Sequence, residues 1–219
     1  DLVFGRRLLD GASRLVAVSG IEVDQYFQGG VPRERITLVF NGLDLDEFAH
    51  LPPRGVFRRL QGISEQAPLI LFLGRLHQIK GIDFLVEAFA LLRREHDHAR
   101  LAVAGPDSGD RARLQSLVGQ LGLEEHVLFS GPLYGADKLA AYVDADVLAA
   151  PSTYEIFGLV PFEALMCGTP VVVTDNSGCG RLVSEASAGR IVPYGDVEAL
   201  AEAILSTITK CDESHQMVR

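Results

Sequence analysis

The sequence predicts an α/β fold, a doubly wound, Rossmann-like domain built on a parallel sheet. Three observations predict it. Short apolar runs alternate with amphipathic stretches from about residue 68 to residue 208. Each run is of strand length and each stretch between runs is of helix length, so the chain repeats a βα unit. Parallel strands joined in this way need helices on both faces of the sheet, and 47% apolar residues in a chain of 219 supply a sizeable core.

The first sixty residues stand apart. Arg14–Val18 (RLVAV) reads as a strand, with Ser19 placed to cap a helix over Ile21–Phe27. Ile36–Phe40 is a second strand, ending in the turn pair Asn41-Gly42. Pro52-Pro53 and a short helical stretch, Gly55–Leu60, follow. The apolar strand at Arg14–Val18 has no evident partner, so the opening elements are expected to belong to something upstream.

From residue 69 the strand candidates are Leu69–Leu73, Leu101–Ala104, Val127–Phe129, Val147–Ala150 and Val171–Val173. The helices that follow them are Ile82–Arg94, Asp110–Leu121, Ala136–Val143, Leu159–Cys167 and Gly180–Ala186. A last helix, Val197–Ile208, starts behind Gly195-Asp196, with Asp196 as its N-cap. Residues 209–219 read as a polar tail.

Composition narrows the function classes. A formal net charge of −9 excludes a general nucleic-acid binder, which carries a basic face. An acidic protein still binds an anionic nucleotide where a few cations and backbone N–H groups converge. Cys167, Cys179 and Cys211 are too few and too scattered for a disulfide framework or a metal site, and a reduced, cytoplasmic setting is expected. No apolar run approaches the ~20 residues that span a bilayer, and Asp1 to Asp10 has no signal-peptide layout.

In doubly wound sheets ligands bind beyond the carboxyl ends of the strands, and the unusual residues of this sequence fall there. Leu73-Gly74-Arg75-Leu76 leaves one strand, and Lys80-Gly81 opens the next helix. Arg75 offers a fork of donors to two phosphate oxygens, and Lys80 a point charge for the same anion. Free N–H groups at the helix start add a partial positive field. The competing view makes both cations solvated surface residues.

A second segment runs Pro151-Ser-Thr-Tyr-Glu155-Ile-Phe-Gly158-Leu-Val-Pro-Phe-Glu163-Ala-Leu-Met-Cys-Gly168-Thr-Pro170. Glu155 lies in the loop after a strand, and Glu163 lies inside the following helix, whose first turn suits Pro161. The N–H groups of Phe157 to Val160 are open to a diphosphate or a sugar hydroxyl. Carboxylates accept from vicinal hydroxyls, which suits Glu163 to a ribose and Glu155 to a transferred sugar. Glu155 reads equally as an exposed loop acid, whereas Glu163, between apolar neighbours, needs a partner.

This segment resembles the E-x7-E signature of the retaining group 1 glycosyltransferases, the family of glycogen-synthase-like and sucrose-synthase-like enzymes. Val39-Phe-Asn41-Gly42-Leu-Asp44 with Phe48, the run Leu71–Leu76 with Lys80-Gly81, Leu101–Gly105 and Val127–Gly131 resemble further family segments. Arg14–Ser19 resembles the strand that closes the preceding domain, so the likeness covers nearly the whole chain in order. It implies the C-terminal, donor-binding domain of a GT-B fold, in which two Rossmann-like domains face each other. Residues 1–40 would be the tail end of the N-terminal, acceptor domain and the linker, 41–208 the donor domain, and 209–219 the tail.

By this resemblance Arg75, Lys80, Gly158 and Leu159 hold the donor diphosphate. Glu163 binds the ribose, Glu155 and Phe157 position the sugar with Glu155 as the catalytic group, and Pro132 and Leu133 contact the nucleobase. The reaction implied is transfer of a glycosyl group from a nucleoside diphosphate sugar, UDP or GDP first among them, to a hydroxyl with anomeric configuration retained. The acceptor (a glycan, lipid or small molecule) would be bound by the other domain, without which transfer is not expected. The resemblance also admits peripheral contact with a membrane.

No cofactor or metal is implied. Asp44-Leu45-Asp46 lies in the linker match, and Asp144-Ala145-Asp146 precedes a strand, at the wrong end of the sheet. Arg181 follows Ser177-Gly-Cys-Gly180 where relatives often carry an acid, so that loop gives no reading of sugar selectivity. Two other readings remain: a non-catalytic nucleotide-sugar-binding module of the same fold, and a dinucleotide-dependent dehydrogenase. The second lacks its glycine pattern, since Gly105-Pro-Asp-Ser-Gly109 does not satisfy G-x-G-x-x-G.

Overall fold

A computed structural model describes residues 2–217, with side chains described for residues 5–209. Two sheets are present among the described residues. The smaller pairs β1 (Leu15–Ala17) with β2 (Ile36–Leu38) in parallel, Leu15 opposite Ile36. The strand that lacked an evident partner therefore has one. Helix α1 (Leu2–Gly11) precedes this pair and α2 (Gly20–Gln28) connects it. Ser19 caps α2, accepting from the Glu22 N–H at 3.2 Å, while the Glu22 carboxylate reaches back to the Val18 N–H at 2.7 Å. This is a capping-box exchange shifted by one residue.

A 3-10 turn at Leu45–Phe48 and α3 (Val56–Gln61) lead into the main sheet. Its strands are β3 (Leu69–Leu73), β4 (Arg100–Ala104), β5 (Val127–Gly131), β6 (Val147–Ala150), β7 (Val171–Thr174) and β8 (Gly189–Val192). All pairings are parallel and the spatial order is β5-β4-β3-β6-β7-β8. The order reverses between β3 and β6, which puts the switch-point crevice of a doubly wound sheet between their carboxyl ends. The connecting helices are α4 (Ile82–Leu92), α5 (Arg111–Gln120), α6 (Gly135–Asp144), α7 (Val160–Met166) and α8 (Gly178–Glu185).

Burial explains why the strands read as unbroken apolar runs. Ile70, Phe72, Leu101, Val103, Val147 and Val172 face one core with α4 and the last helix. Leu69, Leu71, Ala102, Leu148, Val171 and Val173 face the opposite core with α6, α7 and α8. The period-two alternation of direction is intact, but both directions lead to an apolar layer. Strand β8 went unread in the sequence: its Gly-Arg-Ile-Val is an edge, with only Val192 buried.

Helix α9 runs Val197–Met217, past Ile208 where the apolar pattern stops. The Ala199 N–H donates to Asp196 at 2.9 Å, as the capping reading requires. The polar tail therefore begins as a continuation of this helix, while its side chains from residue 210, Cys211 among them, and residues 218–219 lie outside the described residues. Among the described residues no helix is long and apolar enough to cross a membrane.

The join before β3 is a buried polar network. Arg58, 1% exposed, donates to the backbone carbonyls of Ser64, Ala67 and Asp144 and pairs with Asp146 at 2.7 Å. Asp144 accepts from the Gly55 and Arg58 N–H groups. Asp144 and Asp146 thus secure α3 to the amino end of β6, and Asp44 caps its own turn by accepting from the Asp46 N–H at 3.1 Å.

Candidate nucleotide-sugar site

Strand β3 ends at Leu73 and the chain continues as Gly74-Arg75, then through a 3-10 turn to Lys80 and Gly81. His77 caps that turn, its Nδ1 accepting from the Ile79 N–H at 3.2 Å, so this histidine has a local structural role. Gly81 has φ +63°, and a Cβ there would run into the Pro151 carbonyl oxygen. The β3 and β6 loops are thereby pressed together. The Thr153 N–H donates to the Ile79 carbonyl at 2.9 Å and fixes their register.

The β6 loop is held from three sides. The Gly178 N–H donates to the Glu155 carbonyl at 2.7 Å, the Asn176 side-chain amide donates to the Thr153 carbonyl, and Gln25 of α2 bonds the Tyr154 hydroxyl at 3.0 Å. Gly158 (φ +81°) turns the chain into α7, and a Cβ there would crowd Glu155 Cγ at 3.0 Å and Cys179 Sγ at 3.2 Å. Pro161 occupies the first turn of α7, which has no side-chain cap. Among the described residues, the N–H groups of Gly158 and Leu159 have no acceptor.

These loops wall one cavity of about 550 Å³ at the switch point, within the usual range for ligand pockets. Arg75, Lys80, Glu155, Phe157, Gly158 and Leu159 all line it. Lys80 Nζ pairs with Glu155 Oε2, both side chains about a quarter exposed or less. Arg75 is exposed on the wall and makes no ion pair or hydrogen bond among the described residues. A cation with no protein partner, beside N–H groups with none, is an arrangement that attracts an anion.

Glu163 is not on this wall. It points from α7 toward α6, where the buried Tyr142 hydroxyl donates to its Oε2 at 2.7 Å and Lys138 Nζ stands 3.3 Å away. The partner that an acid among apolar neighbours requires is therefore a pair. Burial and the Glu163 carboxylate together push the Tyr142 phenol well above its ordinary range. Pro132 and Leu133 also lie outside the cavity: Pro132 is exposed, and Leu133 packs against the core layer containing Tyr142, Phe162 and Leu165. They follow the edge strand β5, two strands from β3 or roughly 10 Å across the sheet.

Several wall residues were not assigned to the site from the sequence. Val16, Val18 and Glu22 come from the first unit, and Asn41 from the segment read as a turn. Both Glu22 oxygens are engaged, one by the Val18 N–H and the other by the Tyr26 hydroxyl at 2.9 Å. Cys179 reaches the wall from α8 with its thiol pushed up by burial.

Comparison with known proteins places the chain among glycosyltransferases. Residues 54–219 match the family model for glycosyl transferases group 1. The chain is 36% identical over 162 residues to an uncharacterised glycosyltransferase of Methanocaldococcus jannaschii, covering 72% of this chain and 41% of the relative. A D-inositol 3-phosphate glycosyltransferase of Paenarthrobacter aurescens is 35% identical over 192 residues, covering 85% and 47%. The chain thus spans about half the length of the curated relatives it matches. Among solved structures, Anabaena HepE in complex with UDP and glucose superposes with TM-score 0.84 at 25% identity, over 98% of this chain and 58% of that one. Sucrose-phosphate synthase from Thermosynechococcus elongatus superposes with TM-score 0.81 at 30% identity, over 96% and 53%.

Proposed function

The chain belongs to the group 1 glycosyltransferases of GT-B type, and from that premise we propose that it binds a nucleoside diphosphate sugar and takes part in transferring the sugar to a hydroxyl with retained configuration. One observation carries the reading. Among the described residues, a cation without a protein partner, a second cation shared with an acid, and two loop N–H groups without an acceptor converge on one cavity at the switch point.

In this reading Arg75, Lys80 and the N–H groups of Gly158 and Leu159 receive the diphosphate. Negative charge grows on the diphosphate as the bond to the sugar breaks, and fixed donors aimed at it stabilise that change. Glu155, on the same wall, accepts from the sugar hydroxyls and orients the sugar, with Phe157 forming the apolar side. Glu163 receives the ribose hydroxyls from the α6 flank, and the Pro132-Leu133 loop at the head of α6 lies toward the nucleobase. No resident cofactor or metal is needed, because protein cations and N–H groups meet the diphosphate charge. The acceptor class is a glycan, lipid or small molecule bound largely outside the described cavity.

Calorimetric titration of the chain with UDP-, GDP- and ADP-sugars, and with NAD as control, tests the reading. HepE was solved with UDP and with UDP-glucose, so UDP-glucose is the first probe. Binding of one nucleoside diphosphate sugar but not NAD is the expected result. No binding by any of the sugars, with the protein folded, overturns it.

A further inference from the structure

We infer that Lys138 is a positioning residue for the donor site, bridging Glu47 and Glu163 so as to tie the ribose-receiving carboxylate to the segment that leads into the domain. The inference rests on the assignment of Glu163 to the ribose. Lys138 Nζ stands 3.0 Å from Glu47 Oε1 and 3.3 Å from Glu163 Oε2, with its side chain only 15% exposed. Burial alone would lower the Lys138 pKa, but the two carboxylates outweigh it and hold the ammonium above its ordinary range.

The geometry divides the Glu163 oxygens. Tyr142 and Lys138 both engage Oε2, and among the described residues no hydrogen bond reaches Oε1. Tyr142 is fully buried and its carbonyl is pinned by the Thr169 hydroxyl at 2.6 Å, so the phenol is a fixed donor. The carboxylate is thus held by one edge with the other edge presented. Glu47 sits in the turn Leu45–Phe48, anchored by the buried Phe48, so Lys138 also reports where that turn lies. Without Lys138, the largely buried Glu163 and its neighbour Glu47 lose their common cation, and the acid leaves its aligned position.

The test is calorimetry on the folded chain with UDP, GDP and ADP, followed by the tightest of them against its 2′-deoxy counterpart. Lys138→Met should weaken the ribonucleotide about tenfold but the deoxynucleotide less than about threefold, and Lys138→Arg should restore most of the loss. Lys138→Gln carries the same expectation should the methionine variant not fold. A general structural effect would weaken both nucleotides equally. If Glu163→Gln erases the ribose preference while the Lys138 variants leave it intact, or lower both nucleotides together, the inference fails and the ribose assignment stands. If Glu163→Gln leaves the preference unchanged, or no diphosphate binds the unaltered chain, that assignment fails and takes the inference with it.

Discussion

The Lys80 ammonium is paired with the Glu155 carboxylate, 75 residues away in the chain, across the point where the sheet reverses its strand order. A diphosphate and a sugar placed in this cavity would draw these partners to different tasks, Lys80 toward phosphate and Glu155 toward hydroxyls. Each half of the pair therefore gives a different mutational signature. Arg75→Ala and Lys80→Ala should each weaken nucleoside diphosphate binding by about 1.5–3 kcal/mol, the worth of charged hydrogen bonds. Glu155→Gln should leave that affinity unchanged or raise it, since a competing anion is removed, while sharply lowering transfer by the complete enzyme. Calorimetry with the nucleoside diphosphate separates the cases, and a weaker Glu155→Gln complex would contradict the division.

Gly158 stands where only glycine fits. Its φ of +81° strains any other residue, and an added methyl would press on Glu155 and Cys179. Gly158→Ala should cost about 1–3 kcal/mol. The melting temperature should fall about 2–4 °C for each kcal/mol, as for domains of this size. An unchanged transition would mean that the β6 loop relaxes freely.

Arg58 should matter to the fold rather than to the ligand. Its removal takes a donor from each of the carbonyls of Ser64, Ala67 and Asp144 and a buried partner from Asp146. Arg58→Ala should destabilise by about 3–5 kcal/mol, as breaking buried ion pairs does. Urea denaturation measures this loss, and a change under 1 kcal/mol (about a fivefold change in the unfolding constant) would rule it out.

Alkaline pH should loosen the α6–α7 flank. Burial and the Glu163 carboxylate push the Cys167 thiol from its ordinary 9.0 up to about 11. Burial likewise raises the Tyr142 phenol beside it. Groups held protonated by the fold stabilise it fully below their unfolded pKa values, and that contribution is lost as pH climbs through the folded ones. Stability should therefore decline from about pH 9 toward pH 11, and Cys167→Ala should flatten the first part of the decline. Denaturation midpoints measured across that range check it.

Strands β3 and β6 were legible to the residue because both of their faces are buried, which leaves no polar alternation to blur their ends. Edge strand β8, four residues with one buried, carried too little apolar signal to be seen. The loop residues Arg75, Lys80 and Glu155 stood out because charged groups beside tight glycine turns at strand ends have few structural uses. The contributions of Glu22 and Asn41 to the cavity had no such mark, since they depend on how the β1–β2 unit docks.

Short-range chemistry was enough to settle the alternating βα elements, their caps and the loops that hold the charges, because periodicity and turn preference act over a few residues. The strand order, the meeting of Lys80 with Glu155, and the joining of Glu163 to Lys138 and Tyr142 were decided by tertiary structure. Those contacts join residues 21 to 75 positions apart, and nothing local distinguishes one pairing from another until the sheet has brought its strands together.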